Sequence, residues 1–202
     1  MCVGRRYRVD IESLEPSLLS EHPAAPVVAL TFDSSSPDIV HCIDASGVFR
    51  TFSLSDYRVV CKGLSAGAAV CMCSGEKESA CGYADGTVRA FAHGSGASTW
   101  NIPKAHRGAV TAMTCDQAFW FTGGEDGAVR LWTKSSRLFV AQFQEHSKAV
   151  TGLLVDVVNP QLLHSCSLDR SVISYNIKEN KRCNYHLNKA AGASLVLFFS
   201  TP

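Results

Sequence analysis

The stretch TGGEDGAVRLW, residues 122–132, sets a tight Asp126-Gly127 turn between two short apolar runs and closes the second run with Trp132. Asp-Gly between strand-forming residues is a strong hairpin signal, because glycine tolerates the positive φ that such turns require. The hairpin has copies. SGVFRTF at 46–52, DGTVRAF at 85–91 and DRSVISY at 169–175 repeat its turn, the apolar residue three positions on and its closing aromatic. Phe52, Phe91, Trp132 and Tyr175 follow one another at intervals of 39, 41 and 43 residues. A period near forty is the mark of a repeat architecture.

Around the third copy, AVTAMT (109–114) and AFWFTG (118–123) precede the turn, and AVRLWT (128–133) and RLFVAQF (137–143) follow it. Short β-rich runs joined by polar turns read as a four-stranded meander. The fourth unit repeats this with AVTGLLV, LLHSCS, SVISYN and RCNYHLN, the second with AAVCMC, ESACGYA, TVRAFA and STWNI, and the first with VVALTF, DIVHCI, VFRTFS and YRVVCK. No long stretch has helical periodicity, so the fold class is all-β. A small antiparallel sheet cannot cover both its faces alone, whereas radial stacking against copies of itself does.

The pattern resembles the WD40-repeat β-propeller family. The resemblance implies a buried, hydrogen-bonded tetrad in each blade: a histidine before the first strand, a Ser or Thr in the second, the turn aspartate and the closing tryptophan. In the third unit these are His106, Thr122, Asp126 and Trp132. The fourth offers His146, Ser165 and Asp169, with Tyr175 in place of tryptophan. The first has only a displaced His22, with Ser46 at the aspartate position; the second keeps Asp85 but has Phe91 and no histidine. Blades one and two are therefore expected to rest mainly on apolar packing. The units run over 22–60, 61–102, 103–143 and 144–188, after an N-terminal segment at 1–21, and the blade is expected to be offset from the sequence repeat. In the tail, 189–202, SLVLFF reads as the first strand of a fifth blade. Four blades and a strand fall short of the seven that the family implies. The expectation is an incomplete or open propeller: a truncated product of a longer chain, a wheel completed by self-association or by further blades, or a small self-contained one.

Composition bounds the partners. Net charge is +1 with scattered basic residues, which argues against nucleic acid or an anionic membrane as the main partner. Arg5-Arg6-Tyr7-Arg8 reads as a solvated stretch. Nine cysteines, an odd number, sit partly inside apolar runs such as Val70-Cys71-Met72-Cys73, which points to reduced thiols and a cytoplasmic location. Cys71 and Cys73 would share a strand face, but no second pair has zinc-finger spacing, so no metal is expected. No apolar run approaches the roughly 20 residues of a bilayer span.

No catalytic or cofactor-binding residues are expected. His41-Cys42 and His164-Ser165 are adjacent strand residues, which point to opposite faces. HGSGAS (93–98) and TGGEDG lack the helix and lysine of a phosphate loop. The reading is a non-catalytic protein-interaction scaffold. Its candidate contact loops lie at 63–68, 103–108 and 144–148 and at the turns 44–47, 84–86, 125–127 and 168–170. Lys104, Arg107, Glu145 and Lys148 are the charges most suited to a partner. Arg50, Arg89 and Arg130, each two residues before the aromatic, read as packed stems or as a basic ring for an acidic partner. DGTVRAFAHGSG, IPKAHRGAVTA, TGGEDGAVRLW and EHSKAVT together resemble WD-repeat proteins of cilia, flagella and centrioles. That resemblance implies a structural part of an axoneme or centriole, near tubulin or its neighbours. A cytosolic adaptor in another complex is the alternative, and a propeller-fold enzyme the remote one.

Overall fold

The computed structural model describes residues 4–9, 16–22, 25–33, 35–56 and 58–187, the first two segments as backbone only. The strands of the repeat build four antiparallel sheets. Blade one holds β3 (Val27–Phe32), β4 (Ile39–Asp44), β5 (Val48–Ser53) and β6 (Val59–Leu64). Blade two holds β7 (Ala69–Ser74), β8 (Glu78–Tyr83), β9 (Val88–Ala92) and β10 (Ser98–Ile102). Blade three holds β11 (Val110–Cys115), β12 (Phe119–Gly124), β13 (Val129–Thr133) and β14 (Phe139–Phe143). Blade four holds β15 (Val150–Val155), β16 (Leu162–Ser167), β17 (Ser171–Asn176) and β18 (Lys181–Leu187). Each sheet pairs its strands in chain order. The fold class is the all-β, four-bladed arc expected from the sequence.

The first strands β3, β7, β11 and β15 neighbour one another in that order, so they form the inner rim. The core lies in the seams between blades. Ile43, Phe49, Tyr83 and Phe91 fill the first seam; Ala80, Val110, Trp120 and Trp132 the second; Phe121, Phe143, Leu163 and Tyr175 the third. Three seams serve four blades, and the outer flanks stay open among the described residues. Val28, Leu30 and Phe32 alternate along β3, and the latter two are each 60% exposed, where a fifth blade would cover them. Every residue of β18 is exposed.

The Asp-Gly turn rests on Gly127 at φ +74, where an added Cβ would lie 2.4 Å from the His146 carbonyl oxygen. Blade four makes the same turn with Arg170 at φ 71.

The N-terminal segment, whose charge suggested a solvated stretch, carries regular backbone pairing. β1 (Gly4–Val9) and β2 (Pro16–His22) form a separate antiparallel hairpin, with His22 opposite Gly4. Arg6/Arg8 alternate with Tyr7/Val9, a period-two pattern that the charge had obscured. SLVLFF lies outside the described residues. Among the described residues no helix is long and apolar enough to cross a membrane.

Candidate functional site

Blade three joins its four tetrad residues into one chain of donors. Trp132 Nε1–H donates to Thr122 Oγ1 at 3.0 Å, Thr122 donates to His106 Nε2 at 2.8 Å, and His106 Nδ1–H donates to Asp126 Oδ1 at 2.9 Å. The carboxylate only accepts, which fixes the imidazole tautomer. Asp126 also takes the Arg107 amide at 3.1 Å and the Arg130 guanidinium at 2.9 Å. Burial pushes its carboxyl up, but these hydrogen bonds outweigh it and bring the pKa to about 2. Burial lowers that of His106 against the pull of Asp126. Gly124 is required here, since a Cβ on it would sit 2.3 Å from His106 Nδ1.

Blade four assembles three of its four. Ser165 donates to His146 Nε2 at 2.6 Å, and His146 Nδ1–H donates to Asp169 Oδ2 at 3.1 Å. Burial likewise lowers His146, while Asp169, despite its own burial, is brought to about 2 by bonds from Ser171 and Ser147. The phenol of Tyr175 stays outside this chain. Its buried oxygen makes no hydrogen bond of ordinary geometry, although Ser165 faces it, and the ring stacks on Phe143 at 4.1 Å instead.

Blades one and two replace the tetrad in different ways. The Ser/Thr position holds Cys42 and Cys81, and the tryptophan position Phe52 and Phe91, so both polar members become apolar together. In blade one the carboxylate comes from Asp44, two residues before Ser46. It accepts the Ser46 amide at 3.0 Å, the Val48 amide at 3.1 Å and Arg50 Nη1 at 2.7 Å. In blade two, Arg89 bonds Ser65 Oγ at 2.9 Å, pairs with Asp85, and lies 4.2 Å over the Tyr83 ring. Arg50, Arg89 and Arg130 thus each pair with a turn carboxylate.

A second polar motif escaped the sequence reading. At the opposite end of blade one, His41 Nε2–H donates to Asp33 Oδ2 at 2.9 Å, and Thr51 donates to His41 Nδ1 at 2.9 Å. Blade four repeats it: His164 Nε2–H to Asp156 Oδ2 at 3.1 Å, and Ser174 to His164 Nδ1 at 2.8 Å. In both, the aspartate lies eight residues before the histidine and also caps the backbone of its turn, and the hydroxyl lies ten residues after. The spacing Asp-x7-His-x9-Thr/Ser was the available signal. Ser174, His164 and Asp156 have the order of a hydrolytic relay, but Ser174 is only 7% exposed, and in the blade-one copy His41 and Thr51 are buried. A nucleophile needs an approach path; here the motif fastens the sheet.

His93 of blade two joins this motif across the first seam. Its ring stacks on His41 at 3.9 Å, and its Nδ1 lies 2.9 Å from Asp33 Oδ2. Desolvation by burial lowers the His93 pKa, and Asp33 is held well below the usual carboxylate range by Ser35 and His41 although burial opposes this. The three side chains bring ligand atoms within 4.8 Å of one another. Stacked rings aim their lone pairs side by side, however, whereas a metal must lie along each at about 2.0–2.1 Å. The cluster suits a shared carboxylate better than an ion.

The partner-contact candidates all lie in connections between blades and all are exposed: Lys104 and Arg107 between β10 and β11, Glu145 and Lys148 between β14 and β15. Glu145 pairs with Arg182 at 2.9 Å. Lys104 and Arg107 also border a groove of about 390 Å³ with Trp132 and Phe139.

The arc has the fold of a β-propeller, with four blades among the described residues. The WD domain, G-beta repeat family matches residues 98–133. That span takes β10 from blade two and β11 to β13 from blade three, so the family's repeat straddles two blades. A chain in the "Crystal Structure of Mitotic Checkpoint Complex" is similar in fold, with TM-score 0.78 and 16% identity over 91% of this chain and 60% of that one. The "Structure of U3-55K" is similar with TM-score 0.73 and 16% identity over 84% of this chain and 54% of that one. This chain therefore spans less than two thirds of either. No curated protein sequence matches it.

Proposed function

We propose that this chain is a non-catalytic protein-interaction scaffold. A rigid arc holds loops from successive blades on one face, and loops on rigid frames are where binding residues gather. The observation that carries the reading is charge: Lys104, Arg107 and Lys148 stand exposed on that face with no ion pair among the described residues. Such a face suits an acidic protein surface. The open flanks are completed by further blades or by a second copy.

The narrower reading, from the sequence resemblance alone, is a structural component of the axoneme or centriole, in contact with tubulin or its neighbours and distributed between cytoplasm and cilium. The test is the tagged protein in ciliated cells beside a Lys104→Glu/Arg107→Glu/Lys148→Glu variant. A basal-body or axonemal signal lost in the variant supports both readings. A diffuse signal for both proteins removes the ciliary role. Partners captured equally by both proteins remove the basic face.

A further inference from the structure

Blades two and three meet at the inner rim along β7 and β11, and Cys71 and Cys73 of β7 and Cys115 of β11 lie in this seam. Cys73 and Cys115 pack against the same core cluster. Both sulfurs reach the Ser74 carbonyl oxygen, at 3.9 Å and 3.3 Å, so the two thiols meet at one acceptor. Cys115 also borders a cavity of about 610 Å³ whose lining includes Lys134, Asp116 and Asp156. Lys134 lines that cavity beside Cys115, its ammonium lies 4.6 Å over the Trp120 ring, and it has no carboxylate partner among the described residues. These features differ from those of an inert buried cysteine, which lacks both a cation and access.

We propose that Cys115 and Cys73 are a peroxide-reactive dithiol, oxidised to a disulfide that ties blade two to blade three. The roles are unequal. The neighbouring Cys73 thiol and the Lys134 ammonium favour the Cys115 thiolate, bringing its pKa to about 7 against burial and Asp116. The same contact and burial raise Cys73 well above the usual thiol range, so its proton stays in place as the donor. With a hydroperoxide, the Cys115 thiolate attacks one oxygen: an S–O bond forms, the O–O bond breaks, and the departing hydroxide takes a proton to leave as water. The Cys73 sulfur, losing its proton to solvent, then attacks the sulfenic sulfur; S–S forms, S–O breaks, and the second hydroxide leaves as water. Two thiols lose two electrons, and the peroxide gains them.

The experiment uses the full chain and hydrogen peroxide, followed by non-reducing peptide mapping and by iodoacetamide alkylation across pH. The expected results are a Cys73–Cys115 cross-linked peptide and a Cys115 alkylation midpoint about 1.5 pH units below that of free cysteine. Cys73→Ser should leave a persistent sulfenic acid that dimedone captures. Lys134→Met should move the alkylation midpoint upward and Lys134→Arg should restore it, which a purely structural lysine would not do. Cross-links to Cys71 or Cys183 instead, or a Cys115 profile matching free cysteine, would overturn the proposal. Both readouts come from the unsubstituted chain, so a poorly folding variant does not remove the test.

Discussion

Blade three and blade one bury the same strand geometry with different chemistry. Blade three threads a hydrogen-bonded chain from Trp132 through Thr122 and His106 to Asp126. Blade one puts Cys42 and Phe52 in the corresponding polar places, keeps a carboxylate at Asp44, and builds Asp33–His41–Thr51 at the other end. The lesson is that the tetrad's members are not independent. A buried indole or imidazole costs stability unless its partner is present, so blades one and two turn both the hydroxyl and the indole position apolar, while blade four keeps Ser165 together with His146 and Asp169.

The largest test is Asp126→Ala. It strands His106 and Arg130 together, and we expect a loss of about 2–4 kcal/mol, read from denaturant midpoints. Next is Asp44→Ala, expected to cost about 2 kcal/mol through Arg50, against under about 1 kcal/mol for Ser46→Ala. If Ser46→Ala matched Asp126→Ala, Ser46 rather than Asp44 would be the working group.

Acid should separate the blades as well. His93, His106 and His146 all have folded pKa values below the ordinary 6.5. The unfolded chain then takes up protons first, so stability is full above about pH 6.5 and declines as pH falls below it. Asp126 and Asp169, near 2, add a second loss between about pH 4 and 2. A His106→Asn variant should show a shallower decline between pH 6.5 and 5 in thermal scans; an unchanged slope would mean that His106 does not carry it.

Smaller effects sharpen blade four. Tyr175→Phe removes an unsatisfied buried hydroxyl and should stabilise by up to about 1 kcal/mol. A loss instead would mean that the phenol has joined the Ser165 chain. Arg170→Gly relieves a left-handed residue and should gain about 0.5 kcal/mol after the flexibility of glycine is counted.

The repeat made the fold legible, since the quoted runs fall on the strands of each sheet to within a residue or two. The third-unit tetrad was legible for the same reason: its residues sit at fixed offsets from a turn. Asp44 was not, because its carboxylate reaches the usual place from a different backbone position. The Asp33–His41–Thr51 motif was hidden by its rarity, with only blades one and four carrying it. Contacts across seams, such as His93 to Asp33 or Cys115 to Cys73, join residues far apart in sequence, and no local period reports them.

Each blade is built from four consecutive strands. Among the described residues no blade waits for a distant segment, so a chain leaving the ribosome finishes one blade before the next has been synthesised, and each new seam forms on a finished template. The same connectivity governs the response to tension. Pulled from its ends, the arc should come apart blade by blade, and a single-molecule trace showing one all-or-none rupture would argue that the seams outweigh the sheets.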